Sequence, residues 1–471
     1  MLKIIFIFFK KVNPARLTNW LIIFIIIYSM FNVSYWKETK QVITSDVISY
    51  YAYLPSFFIY KDIALDFTND FNKDSKYIIW AKKTQAGKKV IKMTMGMSIL
   101  YAPFFFLGHI AAGILNYDTG GYSAPYVFAL LMSCVFYLSI GLHFLRKMLQ
   151  KYFSKIVTAI TLAIIVFGTN LFFYSSFRAT ITHAYSFSLF IVFLYLTINW
   201  LKNSSIKNTI SLGLVVGLIT LIRPTNIIVL IFLLLWDVKS RKEFIERINY
   251  FIKHYYLILI MFVAFTIVLT PQLLYWKYVT GHYFYYSYGE EGFFFTKPQI
   301  INGLFSYRNG WLLYSPVMIF SLIGIVLLYR KHKEFFYPTF FFIILNTYIV
   351  LSWWCWWYAG FGNRALIDSY AFLAFPLATF ISWIFKQKKL VRNSLFILVL
   401  LFFFINTYHT IKYYYKTIHP DSMTKEAYWY SFFKIRPSKE YYKLLRKPDY
   451  KKAVKGIQTP ATIEKNKVKK Q

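Results

Sequence analysis

Four short stretches of this 471-residue chain place ionisable side chains at the ends of long apolar runs. In the first, Ser45-Asp46-Val-Ile-Ser-Tyr-Tyr-Ala-Tyr-Leu-Pro55, Asp46 stands about ten residues beyond the first apolar run and opens an aromatic stretch. A carboxylate there can take a proton from an incoming hydroxyl, and it can equally cap the helix that follows. The stretch itself is expected to lie along the membrane interface with its aromatic face toward lipid. In the second, Phe177-Arg-Ala-Thr-Ile-Thr-His-Ala-Tyr185, Arg178 and His183 share a short turn, and Asn170 is expected to open onto the same space. A histidine at that depth serves as an interfacial hydrogen bonder or as a proton carrier.

The third stretch, Leu221-Ile-Arg-Pro-Thr-Asn226, sets Arg223 between two short apolar runs. Arginine at membrane depth requires a partner or a polar cavity, and a bound anion would supply the partner. The fourth, Tyr358-Ala-Gly-Phe-Gly-Asn-Arg-Ala-Leu-Ile-Asp368, follows Trp353, Trp354, Trp356 and Trp357. Its glycines allow close backbone approach, and the planar Arg364 fork suits phosphate. Asp368 is either part of that site or the i, i+4 partner of Arg364. Lys92 adds a cation before the run 93–115, and the loop 277–310 adds Tyr285, Tyr286, Tyr288, Glu290, Glu291 and Arg308. Carboxylates among aromatic faces fit a sugar, although an interfacial aromatic belt has the same composition. No phosphate-binding glycine loop, paired zinc-ligand spacing or Gly-x-Ser-x-Gly elbow occurs, so no metal is assigned.

The elements that must position these residues are membrane helices. The chain is 58% hydrophobic, 22% aromatic and 15% charged, against about a quarter charged in soluble domains, which excludes a soluble enzyme. Two cysteines, Cys134 and Cys355, fall in or beside apolar runs and define no disulfide framework. The net charge of +35 would point to nucleic acid in a soluble protein. Here its distribution reads as orientation, because short loops rich in Lys and Arg stay cytoplasmic. Apolar runs lie at about 18–36, 125–145, 156–175, 184–201, 209–222, 225–237, 255–275, 311–329, 338–357, 366–385 and 393–411. With 93–115 lying along the outer interface or re-entering from it, 22 basic residues lie inside, Lys3, Lys10, Lys11 and Arg16 among them, and 6 lie in the short outer loops. If 93–115 crossed, the short segments would carry 10 inside and 18 outside.

The expected architecture is therefore an all-α polytopic bundle of about eleven spans in the cytoplasmic membrane, with the N-terminus inside. Residues 1–411 form the membrane domain, with outer loops 37–124 and 277–310. The tail 412–471, with 16 basic and 5 acidic residues, lies outside and ends in a lysine-rich, frayed Lys465–Gln471. Extramembrane mass falls almost wholly on the outer side, together with all four polar stretches.

This layout resembles the GT-C superfamily of membrane glycosyltransferases, which includes protein O-mannosyltransferases and lipid A aminoarabinose transferases. Asp46 matches the family's acidic residue shortly after the first span, and Lys92-Met-Thr-Met-Gly96 stands at its juxtamembrane segment without the usual paired prolines. The Arg178-Ala179 turn matches the second acidic motif, but His183 replaces the acid, which argues against a two-carboxylate or metal-assisted mechanism. The likeness covers most of the first 240 residues in layout and the Phe-Gly-Asn-Arg segment loosely, and is nearest to uncharacterised bacterial members. It implies juxtamembrane helices on the outer face and sugar transfer from a polyprenyl-phosphate donor to a glycan, lipid or protein acceptor, without nucleic acid. Asp46 would be the base, and His183 would position the donor or stand in for the acid. Arg364, Arg223, Lys92 and Arg178 would meet the donor phosphate, and Glu290, Glu291, Arg308 and Asp368 the sugar or acceptor. A transporter or flippase of lipid-linked or polar substrates shares the hydropathy but not the one-sided placement of polar residues, and a non-catalytic envelope scaffold that holds anionic lipid or polymer with its basic tail is the other alternative.

Overall fold

A computed structural model describes residues 13–37, 41–68, 79 and 81–458. The apolar start of the chain, with Lys3, Lys10 and Lys11, and the lysine-rich Lys465–Gln471 lie outside the described residues. The described chain is all-α apart from one small hairpin, Ala81–Lys83 paired antiparallel with Lys89–Ile91. Among the described residues eight helices are long and apolar enough to cross a membrane: Pro14–Val33, Gly96–Ile114, Ala124–Leu149, Thr182–Lys202, Tyr255–Thr280, Lys333–Ser352, Arg364–Ile384 and Lys389–Tyr414. This is the build of a multi-pass membrane protein.

Several expected spans are interrupted where the sequence breaks the hydrogen-bond ladder. The run 311–329 divides into Trp311–Tyr314 and Met318–Lys331 around Ser315-Pro316, since proline has no N–H to donate. The run 156–175 divides at Gly168 into Lys155–Phe167 and Leu171–Ser176. Arg223-Pro224 likewise separates Ile206–Ile222 from the 3-10 turn Pro224–Val229.

The chain separates into two compact units. One comprises residues up to Thr18, Leu149–Phe173 and Glu290 onward. Its centre is Tyr370–Ile384, apolar on every side and buried at 13 of 15 positions, as a helix without a polar face must be. Met318–Lys331, Lys155–Phe167, Lys333–Ser352 and Lys389–Tyr414 pack around it. The tail folds onto the same unit rather than trailing from it. Tyr450 packs edge-on against Trp354 and Trp357, and Gln458 accepts from the Trp356 indole at 3.1 Å.

The other unit comprises Asn19–Met148 and Tyr174–Gly289. Here Ile206–Ile222 packs against Tyr255–Thr280, Thr182–Lys202 and Gly96–Ile114. Gly213 and Gly217, one turn apart, face the backbone carbonyls of Met261 and Phe265, where a Cβ would not fit. Close packing through small residues is how helices associate without a hydrophobic driving force between them.

Candidate functional site

In the second unit, side chains that bond to distant carbonyls gather four of the sequence-predicted positions around the start of Gly96–Ile114. Ser98 donates to the Tyr50 carbonyl, joining the helix Asp46–Phe58 to that first turn. Tyr101 donates to the Thr180 carbonyl, and Thr180 in turn donates to the Val42 carbonyl at 3.3 Å. The Arg178–His183 turn therefore lies beside the segment that leads into Asp46. On the other side, Thr94 donates to the Leu221 carbonyl at 2.5 Å, two residues before Arg223. Lys92, two residues before Thr94, holds its ammonium 5.1 Å from the Tyr288 ring centre, and Ser287 donates to its carbonyl.

Asp46 is half-buried and is the first residue of its helix rather than the cap. The cap position belongs to Ser45, whose φ of 53° is rare for a residue with a Cβ and whose side chain makes no capping bond. The carboxylate thus rests at the positive end of the helix. The aromatic face expected to meet lipid instead turns inward. Tyr50, Tyr51 and Tyr53 are buried, with Tyr51 donating to the Gly121 carbonyl and Tyr53 to the Met93 carbonyl at 2.7 Å. A phenol that can satisfy its hydroxyl within the protein has less to gain at the lipid surface. Only Phe57 and Phe58, at the far end, are exposed aromatics of this helix.

Arg178 and Arg223 are half-buried, and Arg223 is extended between its two helical segments. His183 is buried in the first turn of Thr182–Lys202, its ring 5.1 Å from Tyr174 in an edge-to-face contact. Asn170 falls in the other compact unit. It is fully buried in the first unit, where its amide donates to the Phe361 and Gly362 carbonyls at 2.8 Å and accepts from Tyr370 at 2.7 Å.

That clip shapes the loop bearing Arg364. Tyr358, Gly362 and Asn363 all have positive φ, and the Arg364 Nε donates to the Tyr358 carbonyl at 3.0 Å. Arg364 is half-buried, whereas Asp368 is buried in the 3-10 turn Arg364–Ser369. Glu291 accepts from the Trp354 indole at 3.1 Å and Glu290 is exposed. Arg308 is fully buried, lies 5.7 Å from the Trp357 ring centre and donates to the Arg446 carbonyl at 3.2 Å. Burial lowers its pKa to about 10, with neighbouring Asp421 opposing the shift and Arg446 adding to it.

The His419-Pro-Asp421 turn escaped the sequence reading. His419 Nδ1 lies 3.0 Å from Asp421, which also accepts from Ser422 and Tyr450 at 2.6 Å. Burial pushes the Asp421 carboxyl upward, but these hydrogen bonds outweigh it and hold the group well below the usual carboxylate range. A histidine and an aspartate flanking a proline were the available signal. Among the described residues no group of three or more His, Cys, Asp or Glu is placed to hold a metal ion.

No family model matches the chain, and no curated protein sequence matches it. What the second unit offers is chemical: a carboxylate at one helix start, with a lysine and two arginines on the segments bonded around the next.

Proposed function

We propose that the protein is a membrane glycosyltransferase that moves a sugar from a polyprenyl-phosphate donor to an acceptor hydroxyl at the outer face of the cytoplasmic membrane. The observation that carries this reading is the set of hydrogen bonds Thr180 to Val42 and Thr94 to Leu221, which bring the Asp46, Arg178, Lys92 and Arg223 segments to one helix start. In the proposed step the Asp46 carboxylate takes the acceptor's hydroxyl proton, and the acceptor oxygen bonds to the anomeric carbon. The bond from that carbon to the donor phosphate breaks, and its electron pair leaves on the phosphate oxygen. Lys92 and Arg223 meet the negative charge that develops there. Arg364, on a loop with positive φ at Tyr358, Gly362 and Asn363, is by its fork geometry the first sequence candidate for a phosphate contact.

The reading includes the eleven-span arrangement with the N-terminus inside, which places these segments outside. Lipid-linked sugars extracted from cells lacking the protein are expected to accumulate one donor on the outer face. Asp46→Asn at unchanged membrane abundance is expected to leave that accumulation uncorrected. Near-normal donor turnover in the variant removes Asp46 as the base, and a donor trapped on the inner face identifies a flippase instead.

A further inference from the structure

The segment following the last long apolar helix, Lys389–Tyr414, contains a turn whose tip is unusually bare. Phe433 is 91% exposed and Trp429 56%, and Ile435 is exposed beside them. These apolar side chains alternate with cations: Lys434 lies 3.5 Å from the Tyr430 ring centre, and Arg436 lies 5.8 Å from that of Tyr415. The turn is tied down firmly. Lys412, itself fully buried, donates to the Ser431 carbonyl at 2.7 Å and the Phe432 carbonyl at 3.2 Å. Tyr408 also donates to the Phe432 carbonyl, and Thr417 to that of Ile435.

Those anchors fix the depth of the tip. Lys389–Tyr414 has 26 residues, about 39 Å at 1.5 Å per residue, against a hydrocarbon layer of about 30 Å. The apolar run within it ends near 411, which sets Lys412 and the turn it anchors at the boundary of that layer. The outward side of the helix stays apolar to the end, through Phe404, Ile411, Tyr414 and Tyr415, all exposed. The Arg436 contact with Tyr415 makes the turn continuous with that lipid-facing strip.

We propose that residues 429–436 are a membrane-seated loop. Phe433, Trp429 and Ile435 enter the boundary between headgroups and acyl chains, and Lys434 and Arg436 meet the phosphates of anionic lipids. Seated in this way, the loop braces the tail, whose later residues pack on Trp354, Trp356 and Trp357. The inference rests on the membrane character of the chain and not on the proposed transfer reaction.

Full-length protein carrying Cys134→Ser and Cys355→Ser, with a polarity-sensitive fluorophore on Phe433→Cys, tests it in phosphatidylcholine vesicles with and without phosphatidylglycerol. Blue-shifted emission, quenched by lipids brominated high on the acyl chain and not by aqueous iodide, is the expected result. The same label on Lys443→Cys, an exposed position in the tail, should respond only to iodide. Lys434→Glu with Arg436→Glu should reduce bromolipid quenching more in phosphatidylglycerol vesicles than in neutral ones. Iodide quenching at 433 equal to that at 443 overturns the proposal. Shielding from both quenchers that disappears on dilution also overturns it, because a second copy of the chain would then cover the tip.

Discussion

Asn170 is one amide that holds two loop carbonyls and a phenol. Its Nδ2 donates to Phe361 and Gly362, its Oδ1 accepts from Tyr370, and the Trp311 indole donates to that same phenol at 3.0 Å. None of these groups has water to turn to, because Asn170, Phe361 and Tyr370 are fully buried. Leaving a buried polar group unsatisfied costs about 1–3 kcal/mol. Asn170→Ala should therefore lower the thermal midpoint in detergent, and Asn170→Asp should lower it further by setting a carboxylate against two carbonyls. Arg364 stands two residues beyond Gly362, whose φ is 60°, so both variants should also disturb the loop that presents it. Limited proteolysis cutting first at 358–364 in Asn170→Ala, and not in the parent, would register that loosening. A midpoint unchanged in both variants would mean that the clip does not hold the loop.

Among the elements, the start of Gly96–Ile114 bears most on the candidate site, and one glycine decides how close it comes to Ile206–Ile222. A Cβ at Gly96 would lie 2.5 Å from the Ile222 nitrogen and 2.7 Å from the Leu221 carbon, both backbone atoms that cannot rotate away. Gly96→Ala should force the helices apart, break the Thr94 to Leu221 bond and cost about 1–3 kcal/mol. Gly113 lies in the same helix with nothing within 4 Å of its Cβ position, so Gly113→Ala should be neutral or stabilising by up to about 1 kcal/mol. Equal thermal midpoints for the two variants would remove the close approach as a constraint. The sequence made the helices legible through the length of their apolar runs. It did not make the gathering legible, because Thr180 meets Val42 across 138 residues and Thr94 meets Leu221 across 127. Ordinary hydroxyls perform that work, and a threonine in an apolar run carries no mark of its distant partner. The hairpin was missed because strands of three residues are too short to display a period of two. Gly87, with φ of 79° in its turn, was the visible cue.

For the molecule as a whole, the decisive question is which helices cross. Length does not separate Gly96–Ile114 from the others, since its 19 residues span about 29 Å at 1.5 Å each. Apolar exposure does not separate it either: its first half is largely buried, while Phe106, Leu107, Ile110 and Ile114 in its second half are exposed. The difference lies in what its crossing would do to every later loop. Segments such as 238–254, with five basic residues, would move outside, and the basic excess of the inner side would reverse. Translocating short basic loops runs against the bias that sets membrane orientation. Single cysteines in place of Lys61, Asp118 and Lys147 make the sides measurable with a membrane-impermeant maleimide. If Gly96–Ile114 stays on the outer side, Lys61→Cys and Asp118→Cys label in intact cells and Lys147→Cys labels only after permeabilisation. If it crosses, Lys61→Cys and Lys147→Cys label in intact cells and Asp118→Cys does not. The second pattern would also separate the Asp46 and Arg223 segments onto opposite sides of the membrane, which the Thr94 to Leu221 and Ser98 to Tyr50 bonds make difficult to reconcile with one compact unit. The charge count and the labelling pattern therefore test the same proposed arrangement by independent means.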